Sequence, residues 1–223
     1  MTEKAEIRSF ECDVNAEESK EGKRVLTGRA IVFGQVTNIG PFDEIIEPEA
    51  ITPEVLRDVP LLLNHDQSGI PMARSRNNNE NSSMQLILDS EGLSFRTTLD
   101  TANNMNSRAL SSAVDRGDIS GMSFMMLGVK DKWDNPRSEH PLRHVIGIRR
   151  IGEISAVTHP AYAQTSIENR GISDALDSAM KSLESARAAE QAEERKRKAA
   201  AILALNNTGG ESNEHGRAER EGG

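Results

Sequence analysis

One cysteine in 223 residues leaves no partner for an internal disulfide and excludes a Cys-based zinc site. Cys12 therefore reads as a small core residue. Aromatics are scarce, with five Phe, one Trp and one Tyr. Basic residues are outnumbered, 27 Lys and Arg against 35 Asp and Glu, for a formal net charge of -8. The chain thus lacks the cationic surface and stacking platforms on which nucleic-acid binding depends. No apolar run reaches the ~18 residues of a membrane span. The opening MTEKAEIRSF has no apolar stretch of the secretory type. A cytoplasmic chain is expected, with neither membrane nor nucleic acid among its partners. Hydrophobic residues make up 36%, and with 17 Gly the apolar share stays slightly below its usual level. The core should be small for the length, with part of the chain outside it.

Composition shifts near Arg170. The stretch ISDALDSAMKSLESARAAEQAEERKRKAAAILAL runs 34 residues without Gly or Pro and is rich in helix formers. Ser173 or Asp174 could cap its start. Leu176, Met180 and Leu183 make a thin apolar stripe that fades into charge. The charged run Glu190–Lys198 reads as a solvated helical face. The expected division is a globular domain over 1–170, a charged Ala-rich helix over 171–205 and a disordered tail over 206–223.

The globular part reads mostly as strand. Phe10, Cys12 and Val14 alternate with polar residues, as do Leu93, Phe95, Thr97 and Leu99 after the turn-like Asp89-Ser90-Glu91-Gly92. Val25–Phe33, Pro60–Asn64, Met84–Leu88, Met122–Val129, Arg143–Ile151 and Ile154–Val157 are further strands. A short helix should begin at Thr52-Pro53. A longer one should run from Asn103 to Arg116, with Met105, Ala109, Ala113 and Val114 on one face and Gly117 just past its end. Asp131–Leu142 breaks the pattern and is expected as an exposed hairpin loop. The fold class is therefore mainly β with α (α+β), a β-barrel or sandwich with surrounding helices and a C-terminal helical extension.

Three residues invite chemistry. His65 ends the apolar Pro60–Asn64 strand, just before the turn Asp66-Gln67-Ser68-Gly69. A strand that fixes the backbone beside an open loop suits a general base, although a hydrogen-bonded strand-edge His is the plainer local reading. Ser123 follows Gly121-Met122 and enters an apolar strand. A glycine there permits close backbone approach and N–H groups near an oxyanion. An ordinary turn Ser is the plainer reading, since Met125 replaces the second Gly of a nucleophile elbow. Glu153 stands alone between apolar residues; if inward, it needs a partner, and His is a natural one. His159 is a competing third member, held extended before Pro160. His140 and His144, four apart, could form a metal pair on a helix, but Pro141 opposes one.

Taken in order, several segments resemble a known family. They are Gly28-Arg29-Ala30-Ile31-Val32-Phe33, Phe42, Glu47-Pro48-Glu49-Ala50-Ile51, Leu62-Leu63-Asn64-His65-Asp66, Asp89–Leu93, Gly117–Phe124 and Glu153–Tyr162. The set, over about residues 24 to 166, is similar to the HK97-type prohead maturation proteases of tailed bacteriophages. The resemblance implies a serine endopeptidase with a β-barrel and surrounding helices, related to herpesvirus assemblin. Such an enzyme acts inside the prohead in the host cytoplasm. It cleaves the scaffolding domain from the major capsid protein and then itself, with no cofactor and no metal. The family's His falls on His65 and its Ser on Ser123. The third member falls on Glu153, with His159 as competitor. Family members often continue the Ser segment with Gly-Phe, where this chain has Met125-Met126.

Two other readings remain. One is a non-enzymatic capsid assembly or scaffolding protein that docks its helical tail into the shell. The other is a metal-dependent hydrolase using His65 and Asp66 with His140 or His144.

Overall fold

In the computed structural model, residues 5–160 and 170–208 are described. The expected tail lies largely outside them, as does Tyr162 of the family-like segment. Strands β1 (Ala5–Glu11), β2 (Asn15–Glu18), β3 (Arg24–Val32), β4 (Thr37–Asn38), β5 (Asp43–Ile46), β6 (Pro60–Leu63), β7 (Ala73–Arg74), β8 (Met84–Leu88) and β9 (Gly92–Leu99) come first. Helix α1 (Met105–Asp115), strands β10 (Gly121–Asp134) and β11 (Leu142–Val157), and helix α2 (Arg170–Thr208) follow.

The strands form two sheets around one core. One has the order β1-β10-β11-β5-β4, with β6 and β7 joined to it at the other end of β11. The second has the order β2-β3-β9-β8. Leu26, Ile31, Leu93 and Phe95 of the small sheet pack with Met122, Phe124, Met126 and Ile154 of the large one. Among the described residues this is a mixed α/β architecture, mostly sheet with two α-helices. No closed barrel is found among the described residues; neither sheet's strand order returns on itself.

Strand β9 buries Leu93, Phe95, Thr97 and Leu99, so the period-two reading holds there. The Asp89 carboxylate accepts from the Glu91 and Gly92 N–H groups and closes the β8–β9 turn. Other expectations shift. The Thr52-Pro53 helix is a single 3-10 turn, Pro53–Leu56. Helix α1 is rotated from the expected face: Ser107, Leu110, Ser111 and Val114 are buried, while Met105 is exposed. The buried hydroxyls explain the phase. Ser111 accepts from Arg24 Nε at 2.9 Å, and Ser107 meets the Met72 sulfur at 3.7 Å. The Asn104 side chain caps α1, and Gly117 takes the left-handed position past its end at φ 75°.

The hairpin expected over 131–142 is shorter. Strand β10 continues to Asp134, and Arg143–Ile151 and Ile154–Val157 are one strand. The polar run Lys130-Asp131-Lys132 hides this from the sequence, because Asp131 is an inward partner rather than a loop residue. Arg143 binds Asp131 at 2.7 Å, Glu6 at 2.7 Å and Glu44 at 2.9 Å. Arg8 adds pairs to Glu6 and Glu44. This buried network ties β1, β5, β10 and β11 together. Burial alone would raise the Glu44 carboxyl, but Arg8 and Arg143 outweigh it and hold it below the usual carboxylate range.

Helix α2 lies against β1 and β10. Ala179 and Leu183 are buried, with Leu176 and Met180 half-buried beside them. Ser182 joins it to the network, donating to Asp131 at 2.5 Å and accepting from the Trp133 indole at 3.1 Å. Arg187 donates to the Pro136 carbonyl at 2.6 Å. Beyond Glu194 the side chains are exposed as far as Leu205. No helix among the described residues is long and apolar enough to cross a membrane.

Candidate active site

The site lies where β1, β10, β11 and the end of β6 adjoin. Ser9 of β1 and Ser155 of β11 stand directly opposite Ser123 of β10 in antiparallel register. Opposed residues share a face, so the three serines form a row across three strands. Met122, Phe124 and Met126 alternate toward the core on the other side. Glu153, two residues before Ser155, falls on the serine face.

Strand β6 pairs in parallel with the end of β11, Leu62 beside Ser155 and Leu63 beside Ala156. It delivers His65 to the same face. Asn64 and His65 both have left-handed backbones, φ 48° and 61°, unusual for residues with a Cβ. The end of β11 holds them there. Asn64 N–H donates to the Ala156 carbonyl at 3.0 Å, and Thr158 N–H donates to Asn64 Oδ1 at 3.0 Å. His65 N–H donates to Ser155 Oγ at 3.2 Å.

The His65 ring and Glu153 meet. Nδ1 lies 2.6 Å from Glu153 Oε1, with side-chain exposures of 20% and 2%. An ionised carboxylate only accepts, so the proton belongs on Nδ1 and Nε2 keeps its lone pair. Ser155 donates to the other carboxylate oxygen at 2.5 Å. The inward reading of Glu153, with His as partner, is the one realised.

Ser123 is 0% exposed. Its hydroxyl donates to the Arg8 carbonyl at 2.9 Å and accepts from Ser9 at 2.8 Å. Among the described residues its hydrogen bonds do not run to His65. Gly121 is where close approach is needed: a Cβ there would lie 2.6 Å from the Pro160 ring and 2.9 Å from the Phe10 carbonyl.

The other candidates lie elsewhere. His159 is exposed, 3.2 Å from Thr158 Oγ1, and is not bonded to His65 or Ser123. His140 pairs with Asp43 at 2.8 Å and His144 with Glu47 at 2.6 Å. Asp66 turns its carboxylate onto Ser68. No group of three metal-ligating side chains occurs among the described residues. Burial pushes the Cys12 thiol up to about 11, which keeps it protonated at neutral pH.

Ser9, Ser155 and Asn64 carry no distinctive local signal. Only the spacing of Glu153 and Ser155, two apart on a strand, could have linked that pair.

A family model described as caudovirus prohead serine protease matches residues 10–179. No curated protein matches the chain. A solved structure, that of the bacteriophage T4 capsid assembly protease, is similar at 11% identity. The match covers 72% of this chain and 100% of that one, with a TM-score of 0.47.

Proposed function

The chain belongs to the caudovirus prohead serine protease family, and from that premise we propose that Ser123, His65 and Glu153 are its catalytic triad. The observation that carries the reading is the 2.6 Å His65–Glu153 pair on the same face and beside the same strand as Ser123. A buried carboxylate on Nδ1 fixes the tautomer whose Nε2 can accept a proton, and it stabilises the imidazolium that follows.

The mechanism is acyl transfer. For attack, the Ser123 hydroxyl gives up its bond to the Arg8 carbonyl and bonds to His65 Nε2 instead. Its oxygen attacks the substrate carbonyl carbon as Nε2 takes its proton. Backbone N–H groups near Ser123, or around Arg149-Arg150, hold the oxyanion. Collapse breaks the C–N bond, and the imidazolium returns the proton to the leaving amine. Water then repeats the sequence on the acyl-enzyme.

The substrate we infer is the scaffolding domain of the major capsid protein, cut inside the prohead, with self-cleavage afterwards. The exposed end of α2, outside the helix's packed part, is a segment that opens easily and can be cut early.

A fluorophosphonate probe tests the triad without a known substrate. Attack forms a Ser Oγ–P bond, releases fluoride and passes the hydroxyl proton to His65. Peptide mapping by mass should find the adduct on Ser123, absent in Ser123→Ala and His65→Ala. An adduct elsewhere, or none on the wild type, overturns the assignment.

A further inference from the structure

Ser155 is fully buried, and acyl transfer assigns it no step. A strand serine of this kind usually satisfies itself on a nearby backbone carbonyl. This one spends its single proton on Glu153 Oε2 at 2.5 Å and accepts the His65 N–H at 3.2 Å. Glu153 Oε1 in turn receives Nδ1–H of the same histidine at 2.6 Å. The bonds close a circuit: His65 backbone to Ser155, Ser155 to Glu153, Glu153 to the His65 ring. Backbone and ring of one residue are thereby held against two neighbours on β11.

We propose that Ser155 is a positioning residue for the His65–Glu153 pair. It rests on the triad reading above and deepens it. Its hydroxyl fixes the plane of the carboxylate, so that one oxygen faces Nδ1 while the other is held by Ser155. It also holds the His65 backbone at φ 61°, a conformation an unsupported histidine leaves readily. Without it, Glu153 loses the donor to its second oxygen, and the His65 backbone loses the acceptor of its N–H.

The test uses the full chain as wild type, Ser155→Ala, Ser155→Thr and Ser123→Ala. Two quantities are read where all four are folded. One is the rate of fluorophosphonate labelling. The other is the proton NMR resonance of His65 Nδ1–H, displaced downfield by its short bond to the carboxylate. Ser155→Ala should label about ten- to a hundredfold more slowly and should lose or broaden the resonance. Ser155→Thr keeps a hydroxyl and should recover both.

Wild-type labelling by Ser155→Ala, or an unchanged resonance in it, overturns the proposal. Equal loss in the Ala and Thr variants does the same, because the hydroxyl is then not the cause. Failure of the triad looks different: Ser123→Ala would still label. An adduct mapped to Ser155 itself would make that serine the nucleophile and end both readings.

Discussion

At the scale of single residues, the state of Ser123 governs what the site can do. Its hydroxyl donates to the Arg8 carbonyl, and Ser9 donates to its oxygen. In the proposed mechanism both bonds are exchanged before attack. Ser9→Ala removes one of them, and a neutral hydrogen bond is worth about 1 kcal/mol net. Labelling of Ser123 should therefore rise several-fold in Ser9→Ala; a fall would mean that Ser9 assists attack. Glu153→Gln keeps the shape of the pair but admits the wrong tautomer. Peptide cleavage should fall about a thousandfold or more, with substrate binding little changed. Gly121→Ala should cost about 1–3 kcal/mol in urea unfolding, because the Pro160 ring occupies the space of the new methyl.

The residues that were legible in the sequence share a property. His65 ends an apolar strand and Glu153 interrupts one, so each stands out against its neighbours. Ser155 and Ser9 do not, since serine suits a strand edge, a turn or a buried bond alike. Their place beside Ser123 comes from cross-strand register, which local sequence does not encode.

At the scale of elements, strand alternation was easy to read where one face is buried, as in β9. It failed where charge points inward. Asp131 reads as a loop residue, yet it joins Arg143, Glu6 and Glu44 in a network that carries β10 past the expected end and fixes the edge strand bearing Arg8 and Ser9. Helix α1 departs from its expected face because two of its buried residues are serines, which the apolar pattern does not mark.

The network makes a pH prediction. Glu44 has a folded pKa below its unfolded value, so its contribution to stability is complete above the ordinary glutamate range, about 4.3. That contribution is lost as pH falls through the lower, folded value. Urea midpoints should drop with acidification, and Glu44→Gln should flatten that dependence. The same substitution should cost about 3–5 kcal/mol at neutral pH, since Arg8 and Arg143 lose a buried counter-charge. A steep acid dependence unchanged by Glu44→Gln would place its cause elsewhere.

At the scale of the whole molecule, the family match ends at residue 179, within α2. The helix continues to Thr208 and is fastened by Ser182, Leu183 and Arg187, all beyond that limit. Its far part carries Arg195-Lys196-Arg197-Lys198, all exposed. Limited trypsin treatment of Ser123→Ala should cut in this run before any bond within 5–157, as read by intact mass. Early cuts in the sheets would contradict the packing described.

The most direct test of the central claim is co-expression with the cognate major capsid protein, wild type against Ser123→Ala, with intact mass of both products. The expected result is a capsid protein shortened at one end only beside the wild type. A capsid protein shortened equally by both, or left whole by the wild type in particles that form, would contradict it.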